Sequence, residues 1–436
     1  MKKNLFGWLA MATMLVGTGC SSDEVVNDYS PENAIQFGTY VGRDAQSRAT
    51  STTSDNIANF GVFAYYTGQT PFATALSNIS NTSNGGTIAT PNFMYNQLVS
   101  RNTSETVPGS AVISGWNYSP LKYWPNNNGD KITFFAYSPY DANCAKNGTQ
   151  NSIQSGLPSV TFTVNNTVKD QQDLLWAIPM IDKTKQKVEE NVQFTFNHAL
   201  SRIGFDVQAM VDKVNEDKEK TDQEPNNGNV DDAVGNGDIL KSETTILVKE
   251  VILKGKFIPS GSLTYTKVVA TANAAETYTA AINGNAATND IEYKLSATAE
   301  NNSNFKTTIT SNLGRDATAY SQIGQIVTND EAQLNADDSY IMIIPKDFTN
   351  EDLTIQVKYD VLTVDSKLES GYSKVENTIS SKFRGVNFVA GNAYTFSLHL
   401  GLTSVKLSAI VNPWQNSTDY VVNVPINTTT TTTTTP

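Results

Sequence analysis

The most direct chemistry that the sequence offers is acylation of a thiol at Cys20. The chain has 436 residues and two cysteines. Cys20 follows a lysine pair, an apolar run over residues 5–16 and the small residues at 17–19. This order is typical of a secretory signal peptide. The apolar run is shorter than the about 20 residues of a membrane-spanning helix. We therefore expect residues 1–19 to direct export and then be removed.

A cysteine in this place resembles the lipobox of bacterial lipoproteins, in which the thiol is acylated and becomes the new N-terminus. Lipoboxes usually carry leucine three positions before the cysteine, where this chain has Gly17. The alternative is an ordinary signal peptide with an incidental cysteine. Lipidation of Cys20 would leave Cys144 as the only other thiol, so that no disulfide could form within the chain and stability would rest on buried apolar area.

Catalytic chemistry has little support in the sequence. The two histidines, His198 and His399, both lie in strand-like runs. Ser201 and Asp206 follow His198 closely enough to suggest a triad, but residues recede from each other along a strand. A buried, hydrogen-bonded histidine is the favoured interpretation. Zinc-protease, paired-cysteine and glycine-rich phosphate motifs do not occur in the sequence, and we expect no enzyme activity and no cofactor.

Binding chemistry is also weakly indicated. The acidic segment 212–238 carries oxygen ligands without the spacing of an EF-hand. A solvated acidic loop is favoured over a calcium site, and we expect no metal. The net charge of −12 is spread along the chain and argues against a nucleic-acid partner.

A sugar-stacking platform could be formed by Trp116, Tyr118, Tyr123 and Trp124. Aromatic packing is the usual role of such residues.

The elements that position these residues are predicted to be β-strands. Ile35, Phe37, Thr39 and Val41 alternate along one short run, and two-residue alternation is more frequent in the chain than helical spacing. Further strand-like runs lie at 59–68, 131–139, 159–166, 192–207, 244–258, 339–345, 353–364 and 393–402. Short strands with polar turns predict an all-β protein built of antiparallel β-sandwiches.

Composition also divides the chain along its length. The predicted segments are a signal peptide at 1–19, a lipidated tether at 20–34, an N-terminal β-sandwich domain at 35–181, a hinge at 182–191, a C-terminal β-sandwich domain at 192–424 that holds the acidic loop 212–238, and a Thr-rich tail at 425–436.

Short motifs, most of which contain aromatic residues, lie in order along most of the chain. They are SRAT at 47–50, FGVFAYY at 60–66, WNYSPLKYWPNNNGDKITFFAYSP at 116–139, QQDLLWA at 171–177, FNHALSRIGFDV at 196–207, SYIMIIP at 339–345, GNAYTFSLHLGL at 391–402 and VNPWQNS at 411–417. As an ordered set they resemble the fimbrillin-like proteins of Bacteroides-type bacteria. The resemblance implies two transthyretin-like antiparallel β-sandwich domains in tandem and a role as a pilus subunit or pilus-associated surface protein.

The resemblance also implies how such a protein matures. In this family a lipidated precursor reaches the outer membrane, and an arginine-specific surface protease removes an N-terminal strand. A strand from a neighbouring subunit then fills the groove. The acidic SSDE after Cys20 resembles the signal that sends lipoproteins of these bacteria to the outer face. The expected location is therefore the cell surface, as an outer-membrane lipoprotein within a fimbrium.

The first alternating strand, 35–41, is a suitable strand to remove. Arg43 and Arg48 follow it directly, and Arg48 lies among small residues where a protease could reach it. Arg48 is favoured because Asp44 lies beside Arg43 and suits a trypsin-like site less well. The alternative is that both arginines are solvated loop residues.

A donor strand is predicted near the C-terminus. Tyr420, Val422, Val424 and Ile426 share one face of the segment 419–427, and Pro425 suits an edge or inserted strand. The alternative is an ordinary last strand of the second domain.

Two functions follow from these features. The first is a structural pilus subunit that polymerises by strand exchange and supports adhesion. The second is a non-polymerising, tip or anchor lipoprotein that binds a glycan or a host protein.

Overall fold

A computed structural model of the protein describes seventeen stretches of the chain. They are residues 34–41, 57–80, 85–101, 115–143, 155–185, 191–210, 244–268, 277–296, 306–309, 320–323, 325–327, 332–333, 340–364, 367–368, 372–401, 405–413 and 420–422. Within these residues no helix is both long and apolar enough to cross a membrane.

The N-terminal part, residues 34–198, contains nine strands and one short helix among its described residues. They are β1 (Phe37–Val41), β2 (Asn59–Gly68), α1 (Phe72–Asn78), β3 (Met94–Arg101), β4 (Trp116–Asn117), β5 (Lys131–Ser138), β6 (Ser159–Thr163), β7 (Leu175–Ala177), β8 (Met180–Lys183) and β9 (Val192–His198). A single 3-10 turn, Val168–Asp170, lies between β6 and β7.

The C-terminal part, residues 201–422, contains seventeen strands and no helix among its described residues. They are β10 (Ser201–Met210), β11 (Thr244–Gly255), β12 (Ser260–Val268), β13 (Thr277–Gly284), β14 (Ile291–Ser296), β15 (Lys306–Ile309), β16 (Tyr320–Ile323), β17 (Gln325–Val327), β18 (Ala332–Gln333), β19 (Ile341–Ile343), β20 (Asp347–Phe348), β21 (Leu353–Val364), β22 (Tyr372–Phe383), β23 (Val386–Asn387), β24 (Asn392–Gly401), β25 (Val405–Pro413) and β26 (Tyr420–Val422). The predicted all-β class is confirmed.

Eight strands of the N-terminal part form one sheet in the order β1-β9-β7-β5-β2-β3-β4, with β8 also paired to β5. The central strands are apolar on both faces because each face packs against a different cluster. Phe60 and Val62 lie in one cluster with Phe134. Phe63 and Tyr65 lie in the other. This double burial explains the near-continuous apolar sequence of β2 and β5.

Two larger sheets of the C-terminal part pack over a common core. One has the order β18-β10-β24-β25-β26, with β19 on β10, and the other has the order β14-β11-β21-β22, with β17 on β11. Phe383 of β22 and Phe396 of β24 join them, with ring centroids 5.4 Å apart. Hydrophobic side chains of both sheets belong to one buried cluster, as in a sandwich.

A three-stranded sheet in the order β13-β12-β6 joins the two parts, since β6 belongs to the first part and β12 to the second. Tyr265 of β12 stacks edge-on against Phe135, with centroids 4.9 Å apart. Its buried hydroxyl donates a hydrogen bond to the backbone oxygen of Ala136 (2.8 Å). The two parts therefore share one core.

The strand β9 follows the predicted hinge and pairs within the first sheet. The division into two tandem domains stays a prediction.

Candidate functional site

Among the described strands, β1 lies at one end of the eight-stranded sheet and pairs with one neighbour. It runs parallel to β9, with Phe37 opposite Val192 and Val41 opposite Phe196. The amide of Val192 donates to the backbone oxygen of Gln36 (2.7 Å). Parallel neighbours require a long connection, and β1 and β9 are the first and last strands of this part of the chain. The predicted strand at 35–41 is thus present and occupies a sheet edge.

The inward side chains of β1 fill a pocket of aromatic rings. Ile35 and Phe37 are each only 1% exposed. The ring of Phe37 lies 5.3–6.1 Å from four other aromatic rings, which belong to Phe60, Tyr118, Phe134 and Phe194. Burying side chains of this size contributes about 1.5–3 kcal/mol each. Burial of these side chains is therefore a main contribution to holding this edge strand in its sheet.

A loop, which we call the clasp and define as residues 118–123, holds the N-terminal end of β1 from the other side. The hydroxyl of Tyr118 donates to the backbone oxygen of Ile35 (2.7 Å). The amide of Ile35 donates in turn to the oxygen of Lys122 (2.8 Å). Ala34 forms an isolated antiparallel bridge with Tyr123. Burial raises the pKa of Tyr118 well above its usual range, so the phenol stays protonated as a donor.

This arrangement is suited to binding an extended peptide rather than to covalent chemistry. A segment that replaced β1 would have to supply backbone donors and acceptors to β9 and a large apolar side chain at the place of Phe37. Sheet edges bind extended peptides by this kind of strand addition.

The comparisons with known proteins agree with this fold. A model of the family described as fimbrillin-like matches residues 47–311. The chain belongs to the fimbrillin-like family.

One curated relative of this fimbrillin-like chain is fimbrium subunit Fim1C of Phocaeicola vulgatus. It is 34% identical over 208 residues, which make up 45% of this chain and 48% of the relative. The chain thus spans about half the length of the curated relative that it matches. Among solved structures, a fimbrial protein from Bacteroides vulgatus has a TM-score of 0.53 and 19% identity, covering 87% of this chain and 99% of that chain. At this identity the match shows the fold alone.

The predicted modification sites of the fimbrillin-like chain, Cys20, Arg43 and Arg48, lie outside the described residues. Two of the four predicted donor residues, Tyr420 and Val422, form β26, which pairs antiparallel with β25 at the end of its sheet. Val424 and Ile426 also lie outside the described residues. The structure therefore places two of the four predicted donor residues in the chain's own sheet and leaves their predicted role untested.

The aromatic residues considered as a sugar platform pack within the fimbrillin-like chain. Trp116 is 8% exposed and lies edge-on to Phe60, with centroids 4.8 Å apart. The guanidinium of Arg101 lies 5.1 Å from the centre of the Trp116 ring. Trp124 packs against Phe134, with centroids 6.0 Å apart. These side chains cover the same cluster that holds Phe37, so their geometry fits the packing interpretation.

His198 is buried and hydrogen-bonded, as the sequence favoured, but its partner Asp173 was not predicted. Its Nδ1 lies 2.6 Å from Oδ2 of Asp173, and both side chains are almost fully buried. Ser201 instead donates its hydroxyl to the backbone oxygen of Val389 (2.8 Å). The suggested triad is thus not assembled around Ser201.

Within the described residues no group of three or more histidine, cysteine or acidic side chains could hold a metal ion. The acidic loop 212–238 lies outside the described residues.

Proposed function

We propose that this chain is a structural subunit of a cell-surface fimbria and polymerises by exchanging β1 for a strand of a neighbouring subunit. The observation that carries the proposal is the position of β1, an edge strand whose Phe37 fills an aromatic pocket. Family membership and the similarity to a protein named as a fimbrium subunit support the pilus role.

The proposed maturation begins with export as a lipoprotein acylated at Cys20 and delivery to the outer membrane. An arginine-specific surface protease then cleaves after Arg48, or after Arg43. Hydrolysis after Arg48 leaves a carboxylate on Arg48 and an amine on Ala49. The strand β1 then belongs to a separate peptide, which its pairing with β9, its burial and the clasp still hold in place.

Loss of the cleaved peptide creates a strong binding site. The edge of β9 loses its partner, and the pocket around Phe60, Phe134 and Phe194 loses the Phe37 ring. An incoming strand restores both the backbone pairing and the apolar burial. The donor we propose is the segment 419–427 of another subunit, whose apolar face carries Tyr420, Val422, Val424 and Ile426.

Limited digestion of the purified full-length chain with an arginine-specific protease tests the proposal. We expect N-terminal sequencing of the product to begin at Ala49, and concentration-dependent polymers to appear by electron microscopy. Arg48→Ala should abolish that cut, whereas Arg43→Ala should leave it in place. A cleaved product that keeps its N-terminal peptide and stays monomeric would overturn strand exchange.

Two truncations separate the donor role from folding. Removal of 419–436 should stop polymerisation after cleavage, while the chain keeps its far-ultraviolet circular dichroism spectrum. Removal of the Thr-rich residues 428–436 alone is the matched control and should leave polymerisation intact. Unchanged polymers after the larger truncation would show that the donor lies elsewhere.

A further inference from the structure

The long strand β22 ends one of the two large sheets and has a free outer edge among the described residues. It pairs with β21 through twelve consecutive residue pairs, from Leu353 opposite Phe383 to Val364 opposite Tyr372. The sheet order ends at β22. Its outward backbone donors and acceptors are therefore available to another strand.

An apolar side chain is exposed near the N-terminal end of this edge. Val375 is 55% exposed, more than any other large apolar side chain in the described part of the chain. It lies opposite Val361 of β21, which is only 7% exposed. The buried face of the sheet thus continues to Val375 and stops there uncovered. A further strand at this edge would continue the buried face over Val375.

Opposite charges flank Val375 on the other face of the strand. Lys374 and Glu376 lie one residue to each side of it, with Nζ and Oε1 2.8 Å apart. The bond to Glu376 raises the pKa of Lys374, and the bond to Lys374 lowers the pKa of Glu376. Both groups are therefore charged at neutral pH, and both are partly exposed.

We propose that this edge is a self-pairing surface, at which β22 of two copies joins antiparallel about a two-fold axis through Val375. In this register Val375 lies against Val375 of the second copy. Lys374 of each copy then lies opposite Glu376 of the other. The remaining described pairs are Ser373 with Asn377 and Tyr372 with Thr378.

Other registers are less favourable. A shift by two residues places Lys374 opposite Lys374, or Glu376 opposite Glu376, and like charges directly opposite each other destabilise a pair. A shift by one residue joins the buried face of one sheet to the solvent face of the other. The charge pattern and the exposed valine thus favour the register centred on Val375 over these neighbouring registers, with a second copy of the chain as the partner.

The contact is small, since only residues 372–378 of each copy pair in this register. An interface of this size is below the about 1,200 Å² of stable complexes and gives weak association between single chains. If the chain polymerises as proposed above, repeated contacts between neighbouring fimbriae would add up through multivalency. That consequence rests on the proposed function, whereas the self-pairing itself does not.

Disulfide trapping on uncleaved chains tests the self-pairing apart from polymerisation. Val375→Cys is made in a full-length chain that also carries Cys20→Ser and Cys144→Ser. Because residues directly opposite in an antiparallel pair have their Cα atoms about 4.5–5.5 Å apart, mild oxidation should give a disulfide-linked dimer. The matched control is Ile379→Cys, which lies on the same face of β22 but far from its symmetry mate, and it should stay monomeric.

A charge reversal provides the second measurement. Adding Glu376→Lys, at a largely exposed side chain, should reduce the dimer yield of the Val375→Cys chain about tenfold because it sets lysines against lysines. Glu351→Lys changes the net charge equally, away from the edge, and should leave the yield unchanged. The proposal is overturned if Val375→Cys gives no dimer, if Ile379→Cys crosslinks equally well, or if Glu376→Lys has no effect. Crosslinking to a different fimbrial protein instead of a second copy would also overturn it.

Discussion

The phenol of Tyr118 donates a 2.7 Å hydrogen bond to the backbone oxygen of Ile35, across 83 residues of sequence. This contact joins the clasp to the strand that we propose is removed and replaced. The importance of the contact lies in how firmly it holds the edge strand. The first prediction concerns this bond.

Tyr118→Phe should loosen the N-terminal end of β1 without unfolding the sheet. Loss of one hydrogen bond costs about 0.5–1.5 kcal/mol, so amide hydrogens of residues 35–41 should exchange about two- to tenfold faster. Hydrogen exchange with mass spectrometry measures this directly. Tyr66→Phe removes a bond to Asp130 elsewhere in the sheet and serves as the control. Equal acceleration in both variants would contradict a local role for the clasp.

Phe37→Ala should be strongly destabilising because it empties the aromatic pocket. Truncations of buried phenylalanine typically cost about 3–5 kcal/mol, and urea titration of the intact chain should show a loss in this range. Tyr40→Ala, on the same strand but 44% exposed, should change the free energy of unfolding by less than about 0.5 kcal/mol. A small effect of Phe37→Ala would mean that burial of this ring does not hold β1.

His198→Ala should also destabilise the chain, since it leaves the buried carboxylate of Asp173 without its partner. Leaving a buried polar group without its hydrogen-bond partner costs about 1–3 kcal/mol. Lys169→Ala removes the exposed contact with Asp170, which should cost less than about 1 kcal/mol. Thermal unfolding of the two variants compares the pairs. Similar losses would show that the His198–Asp173 pair contributes no more than a surface pair.

Alkaline pH should destabilise the fold. Burial raises the pKa of Tyr359 to about 12, and it raises the pKa values of Tyr65, Tyr265 and Tyr293 further. Because the folded state favours the neutral phenol, this stabilisation is fully present below the ordinary value of 10.0 and is lost as the pH rises above it. Urea titrations at neutral pH and above pH 10, followed by tyrosinate absorbance, check this. Tyr359→Phe should reduce the alkaline loss.

Sequence patterns predicted the all-β class and several strands correctly, because alternation is a local property. The strand at 35–41 is one example, and the apolar run at 131–139 is another. Pairing is not local. The parallel pairing of β1 with β9 joins residues that are far apart in the sequence, and no pattern in either strand specifies the other.

The candidate site was predicted only in part for the same reason. The sequence placed Ile35 and Phe37 on one alternating run, but it did not connect them to Tyr118, which appeared only within an aromatic-rich segment. That segment was considered for sugar binding, and the structure uses it to cover the pocket of β1. The pairing of His198 with Asp173 was missed because the two residues lie on different elements.

The parallel pairing of β1 with β9 fixes the orientation of any contact in which a strand of another subunit takes the place of β1. A strand that takes the place of β1 in the same orientation must enter with its N-terminal end at the clasp, so donor and acceptor are unlike surfaces. A row of such contacts is head-to-tail, and it extends as an open filament when the rotation between neighbouring subunits does not close a ring. The resulting filament would be polar, with one end that presents an open groove and another that presents an unused strand.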